Sequence, residues 1–143
     1  MQNETIINGE GHILGRLASI VAERALQGEN IDIVNVEKAV IIGHEDSVIE
    51  KWKRRLDLTA KGNPNKGPKF PRKPDRLMRR AIAGMLPTES VRGRKALKRI
   101  RTFIGTPEKF SNAEMETIRI ALYNGKEDAI TLEELCKKLG AKW

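Results

Sequence analysis

The apolar positions of this chain change period several times, and each change marks an element. Thr5 to Ile7 predicts a short strand. The turn Asn8-Gly9-Glu10-Gly11 then leads into a segment from Ile13 to Leu26 where Leu14, Leu17, Ala18, Val21, Ala22 and Ala25 recur at helical spacing. That helix is apolar around most of its circumference and is expected to be buried. Ile31, Ile33, Val34 and Val36 form a nearly continuous apolar run, the mark of a strand covered on both faces, and Val40 to Ile42 extends or adds to it. Strand, helix and strand in this order predict a right-handed crossover and a parallel sheet. Val48, Ile49, Trp52 and Leu56 share one stripe of a second helix, whose other face carries Glu50, Lys51, Lys53, Arg54 and Arg55.

Between Thr59 and Lys73 the periodicity vanishes. Pro64, Pro68, Pro71 and Pro74 interleave with Gly62 and Gly67, so donors are missing and chain entropy is high, and a long loop over 59–74 is expected. Pro74 suits the first turn of a third helix, with Asp75 favourable at its positive end. Leu77, Ala81, Ile82 and Met85 form the predicted buried stripe of that helix. A further helical stretch from Arg92 to Arg101 turns Ala96, Leu97 and Ile100 inward. Near the end of the chain, Ser111 with Glu114 and Thr131 with Glu134 both fit a capping box. They predict helices over about 112–124 and 132–139, with stops at Asn124-Gly125 and Gly140. Thr102 to Ile104, and Ala129 with Ile130, supply the remaining strand material.

Composition narrows the class. With 143 residues, 39% hydrophobic and 32% charged, the chain is expected to be one globular domain, 1–143. No apolar stretch approaches the roughly 18 residues of a membrane span, and Glu4 and Glu10 are unlike the basic start of a signal peptide, so a cytosolic protein with no membrane partner is expected. A single cysteine, Cys136, cannot form an internal disulfide and sits in a helical pattern as a small apolar side chain.

Charge is distributed very unevenly. Residues 51–109 hold 19 Lys and Arg against four acids, whereas both flanking segments are net acidic and the whole chain is +8. Uncompensated charges in one segment repel one another in the free protein, so a partner that neutralises them is the economical explanation, and nucleic-acid phosphates are the commonest such partner. Phe70 lies inside the basic loop; it suits either stacking on an unpaired base or anchoring the loop, and one isolated aromatic favours the anchor.

Enzyme chemistry has one candidate. Gly9-Glu10-Gly11-His12-Ile13-Leu14-Gly15 is a GxGxxxG run between a strand and a helix, with Asp32 and Glu37 following, which outlines an NAD(P)-binding turn. Against it, the preceding strand is short, Glu10 would stand beside the phosphates, and no substrate domain follows. The competing reading is a tight strand-to-helix turn. His12 and His44 are the only histidines, and neither has a companion at metal-ligand spacing.

The run His12-Ile13-Leu14-Gly15-Arg16-Leu17-Ala18-Ser19 resembles the first signature of the universal large-subunit ribosomal protein thirteen family. Ala83-Gly84-Met85-Leu86-Pro87, then Gly93-Arg94-Lys95-Ala96, Arg99-Ile100 and Phe103-Ile104-Gly105-Thr106-Pro107, resemble its second. Asn35-Val36-Glu37-Lys38-Ala39-Val40 and Pro68-Lys69-Phe70-Pro71 are similar to its archaeal members, and the resemblance spans roughly residues 5 to 110. It implies an α/β fold, a three-layer sandwich with a small, mostly parallel four-stranded sheet between helices, and the glycine run opening the first helix without a nucleotide. It also implies a non-enzymatic role, without cofactor or small-molecule substrate: binding large-subunit ribosomal RNA beside neighbouring ribosomal proteins during subunit assembly. The residues expected to meet RNA are Lys61, Lys66, Lys69, Arg72 and Lys73 on the loop, and Arg76, Arg79, Arg80, Arg92, Arg94, Lys95, Lys98 and Arg99 on the helices beside it. The loop is expected to thread between RNA segments and order on contact.

Overall fold

A computed structural model describes residues 4–143. Three strands, β1 (Glu4–Asn8), β2 (Asn30–Val34) and β4 (Ile100–Thr102), form a parallel sheet in the order β1-β2-β4. Central β2 pairs Ile31 with Thr5 on one side and with Ile100 on the other. Its residues Ile31 to Val34 are all buried, which is why the sequence there is apolar apart from Asp32. Helix α1 (Leu14–Leu26) makes the crossover from β1 to β2 and buries Leu17, Ala18, Val21, Ala22 and Ala25. Burying Leu17 alone is worth about 2 kcal/mol of transfer free energy. Helices α3 (Pro74–Ala83) and α4 (Val91–Lys98) both pack against α1. The arrangement is an α/β sandwich with one core shared by α1, the sheet, α3, α4 and part of the C-terminal segment.

The sheet has three strands rather than four. Val40 to Ile42 is a strand, β3, but it pairs antiparallel with β5 (Ala129–Thr131) in a separate ribbon, Ile41 opposite Ile130. The cause lies at Asn35, whose φ of 53° takes the backbone out of the strand region and into a short 3-10 turn over Val36–Lys38. Asparagine tolerates this left-handed conformation better than most residues. Val36 is therefore a buried turn residue and not the end of β2. The ribbon, together with α2 (Glu45–Asp57) and α5 (Leu132–Lys138), encloses a second, smaller apolar cluster of Val48, Ile49, Ile130, Leu135 and Leu139.

One predicted helix is absent. Residues 112–124 form extended chain and one 3-10 turn, Arg119–Ala121, because the open edge of β1 takes the segment as a partner. Asn8 donates its N–H to Glu116 O, and Glu116 donates its own to Ile6 O. Arg24 then fixes the Glu116 carboxylate with Nη1 at 3.0 Å. Ser111 does not cap a helix; its hydroxyl donates back to Glu108 O. The second capping signal holds, since Thr131 Oγ1 accepts from Glu134 N–H at the start of α5, and Gly140 ends that helix with φ 88°. Helix α3 stops at Ala83, so Met85 is 45% exposed and Met78 and Leu86 are buried in its stead.

Candidate nucleic-acid interface

The turn from β1 into α1 is filled by the protein itself. Gly9 donates to Val34 O at 2.8 Å, and a Cβ at Gly9 would stand 3.1 Å from that same oxygen, so glycine suits the close approach to β2. Ile13 N–H donates to Ala121 O at 2.7 Å. The His12 side chain is fully buried, its Nδ1 3.1 Å from Glu10 O and its Nε2 accepting from Ile118 N–H at 3.0 Å. Burial pushes the His12 pKa below its ordinary 6.5, which matches a neutral ring carrying its proton on Nδ1. Asp32 and Glu37, the acids that a dinucleotide turn would use, are engaged elsewhere: Asp32 by Arg101, and Glu37 by the N–H of Gly105. Cys136 is buried on the inner face of α5, and desolvation pushes its thiol up to about 12, consistent with an inert core residue.

The basic segment divides by what each cation touches. Eleven of the predicted RNA-facing residues are exposed: Lys61, Lys66, Lys69, Arg72, Lys73, Arg76, Arg80, Arg92, Arg94, Lys95 and Lys98. Half-buried Arg79 and Arg99, and exposed Arg80 with them, each turn part of the fork onto backbone carbonyls. Arg79 donates to the carbonyls of Ile100 and Leu97, joining α3 to the start of β4. Arg99 donates to Ala25 O at 3.1 Å and closes the end of α1. Arg80 donates to Lys69 O at 2.9 Å, with its guanidinium carbon 4.4 Å from the Phe70 ring centroid. Phe70 is therefore an anchor, and Arg80 is the residue that holds it. Sequence spacing could not separate these three from their neighbours, since all lie on amphipathic helices or at helix ends in one basic run.

Among the described residues, the ion pairs on basic side chains fall on Arg24, Lys38, Arg54, Arg101, Lys137 and Lys138. None of the thirteen predicted cations has a carboxylate partner. The loop itself contains one short turn, Pro64–Lys66, in which the Asn63 side chain accepts from Asn65 N–H. It folds back so closely that a Cβ on Gly67 would come within 2.7 Å of Ala60 N. Helix α4 is capped by Ser90, whose hydroxyl accepts from Gly93 N–H at 3.1 Å, and it rests on the Leu86-Pro87 turn. This seat turns Gly93 and Ala96 inward and Arg92, Arg94, Lys95 and Lys98 outward.

The sequence model of the family described as Ribosomal protein L13 matches residues 2–109, the stretch that holds the parallel sheet, α1 to α4 and the basic loop. The chain belongs to that family. Three relatives named large ribosomal subunit protein uL13 extend the likeness through the C-terminal segment. The Archaeoglobus fulgidus protein is 47% identical over 139 residues, covering 95% of this chain and 87% of the relative. The Methanopyrus kandleri protein is 44% identical over 140 residues, covering 95% and 86%. That of Methanocaldococcus jannaschii is 44% identical over 140 residues, covering 97% and 99%. The family is archaeal in type here, and its members are structural proteins and not enzymes. The reading of Gly9, Gly11 and Gly15 as an NAD(P) site has no support from either geometry or family, and these glycines serve the turn.

Proposed function

We propose that this protein is a structural constituent of the large ribosomal subunit, located with it in the cytoplasm, which binds large-subunit ribosomal RNA and supports assembly of the subunit. One observation carries the reading. Eleven exposed lysines and arginines on the 59–74 loop, α3 and α4 have no carboxylate partner, whereas elsewhere Arg24, Lys38, Arg54, Arg101, Lys137 and Lys138 are ion-paired. Such a surface suits phosphates, and relatives named as proteins of the large ribosomal subunit support ribosomal RNA as the polyanion. The α/β body acts as a rigid base, Arg80 and Phe70 fix one end of the loop, and the loop's free cations order on RNA. Recognition of this kind reads backbone and shape more than base identity. Neighbouring ribosomal proteins meet the acidic flanks.

Sedimentation of a cell lysate tests this directly. The chain is expected to travel with the large subunit at low salt and to be released only at high salt. Recovery wholly in the soluble fraction at low salt overturns the proposal.

A further inference from the structure

Beside the basic loop, α2 and α3 diverge around a cleft of about 270 Å³. Helix α2 supplies Trp52 and Arg55, α3 supplies Leu77, Arg80 and Ala81, and Leu14 comes from the start of α1. Leu77 is 1% exposed and closes the bottom, so the interior is apolar, while the polar groups at the mouth are two guanidinium groups. Each is held against a ring face: the Arg55 guanidinium carbon lies 4.7 Å from the Trp52 ring centroid and that of Arg80 4.4 Å from the Phe70 ring centroid. A guanidinium stacked on one face presents its other face and its edges to whatever enters. The cleft is smaller than the roughly 300–1,000 Å³ of sites for drug-sized ligands but has room for one flat heterocycle.

We infer that this cleft receives a single unpaired nucleobase of the bound RNA, stacked against the Trp52–Arg55 and Arg80 planes, while its phosphates meet the cations at the rim. The inference rests on the RNA-binding reading above and adds to it a base-dependent contact. Charge decides the occupant. No carboxylate lines the cleft, and the loop that borders it carries Lys69 and Arg72, so a flat group on an anionic chain fits where an aliphatic side chain of a neutral peptide leaves both guanidinium charges without an anionic partner. Stacking on aromatic and guanidinium planes is the usual means by which proteins hold splayed-out bases.

The chain has two tryptophans, Trp52 and Trp143, so the full-length Trp143→Phe protein reports Trp52 fluorescence alone. The probes are a single-stranded uridine decamer and the same ribose-phosphate decamer without bases. The decamer with bases is expected to quench Trp52 and to bind roughly tenfold more tightly than the abasic strand, the scale of one stacked base. Ala81→Leu, which fills the cleft without altering charge, is expected to abolish both the quenching and the tenfold preference while leaving the salt dependence of binding unchanged; Trp52→Leu is expected to remove the preference likewise. Equal affinity for both strands with no quenching overturns the base site and leaves the phosphate interface standing. Failure of both strands to bind at low salt overturns the RNA reading as well. Quenching by a glutamate-rich peptide and not by RNA assigns the cleft to an acidic protein tail and overturns the inference.

Discussion

Arg101 lies directly opposite Asp32 across the β2–β4 ladder and clasps its carboxylate with Nε at 2.7 Å and Nη2 at 3.0 Å. The Asp32 side chain is 5% exposed and that of Arg101 51%, so the acid depends on the arginine far more than the reverse. Replacing Arg101 by Leu leaves a buried carboxylate without its charged partner. The expected cost is about 1–3 kcal/mol, at the lower side of losses at buried pairs because Arg101 itself is half in water. Urea unfolding checks it: the midpoint is expected to fall with an unchanged slope, and Asp32→Asn with Arg101→Leu together are expected to recover part of the loss.

His12 gives the protein a defined acid sensitivity. Its neutral ring accepts from Ile118 N–H through Nε2, and burial holds its pKa below 6.5 in the folded state. The unfolded chain therefore takes up the proton first as pH falls. The stabilising contribution is complete above about pH 6.5 and is lost progressively below it, until the folded-state pKa is reached. The slope due to this group approaches about 1.4 kcal/mol per pH unit. Because carboxylates titrate in the same range, the measurement is a comparison: unfolding free energy between pH 7 and 5 is expected to fall more steeply for the native protein than for His12→Asn. Parallel curves would show that the ring is not held neutral.

Much of this architecture is legible in the residue pattern, and the parts that are not share a cause. The apolar run of β2, the helical spacing of α1, the Pro74 start of α3 and the Thr131 cap are local signals, and the structure follows each of them. Residues 112–124 carried an equally good local signal at Ser111 and Glu114, but the unfilled edge of β1 and the pull of Arg24 on Glu116 decide their conformation, and both lie about 90 residues away or more in sequence. The same holds for the basic residues. Charge density marks the proposed interface, whereas the inward bonds of Arg79, Arg80 and Arg99 go to carbonyls on other elements or on the far side of the loop, which no spacing rule encodes.

Two glycines make opposite predictions. A Cβ on Gly93 would stand 2.0 Å from Pro87 O, backbone against backbone, so α4 can sit on the Leu86-Pro87 turn only with glycine at that position. Gly93→Ala is expected to destabilise by about 1–3 kcal/mol despite the better helix propensity of alanine. Gly15, in the first turn of α1, has nothing within 4 Å of its Cβ position. Gly15→Ala is expected to be neutral or to stabilise by up to about 1 kcal/mol. Thermal unfolding of the two variants distinguishes a glycine needed for packing from one that is not. Tolerance at Gly15 also counts against any role as a phosphate-approach glycine.

The division of the basic segment predicts two kinds of arginine variant. Arg76 on α3 is exposed and has no carboxylate partner, so Arg76→Gln is expected to leave unfolding within about 0.5 kcal/mol of the native protein. It is also expected to lower the salt slope of RNA binding by roughly 0.7–0.9 log units, one phosphate contact. Arg79, three residues on, donates to two backbone carbonyls between α4 and β4. Arg79→Gln is expected to cost about 1–3 kcal/mol of stability, because part-buried carbonyls lose a charged donor, with a smaller change in salt slope. Measuring both quantities on both variants gives a crossed result if inward bonding decides the role. If Arg79→Gln instead flattens the salt slope as much as Arg76→Gln while unfolding is unchanged, the guanidinium turns outward to RNA and its bonds to Ile100 and Leu97 are not what holds α3 to the sheet.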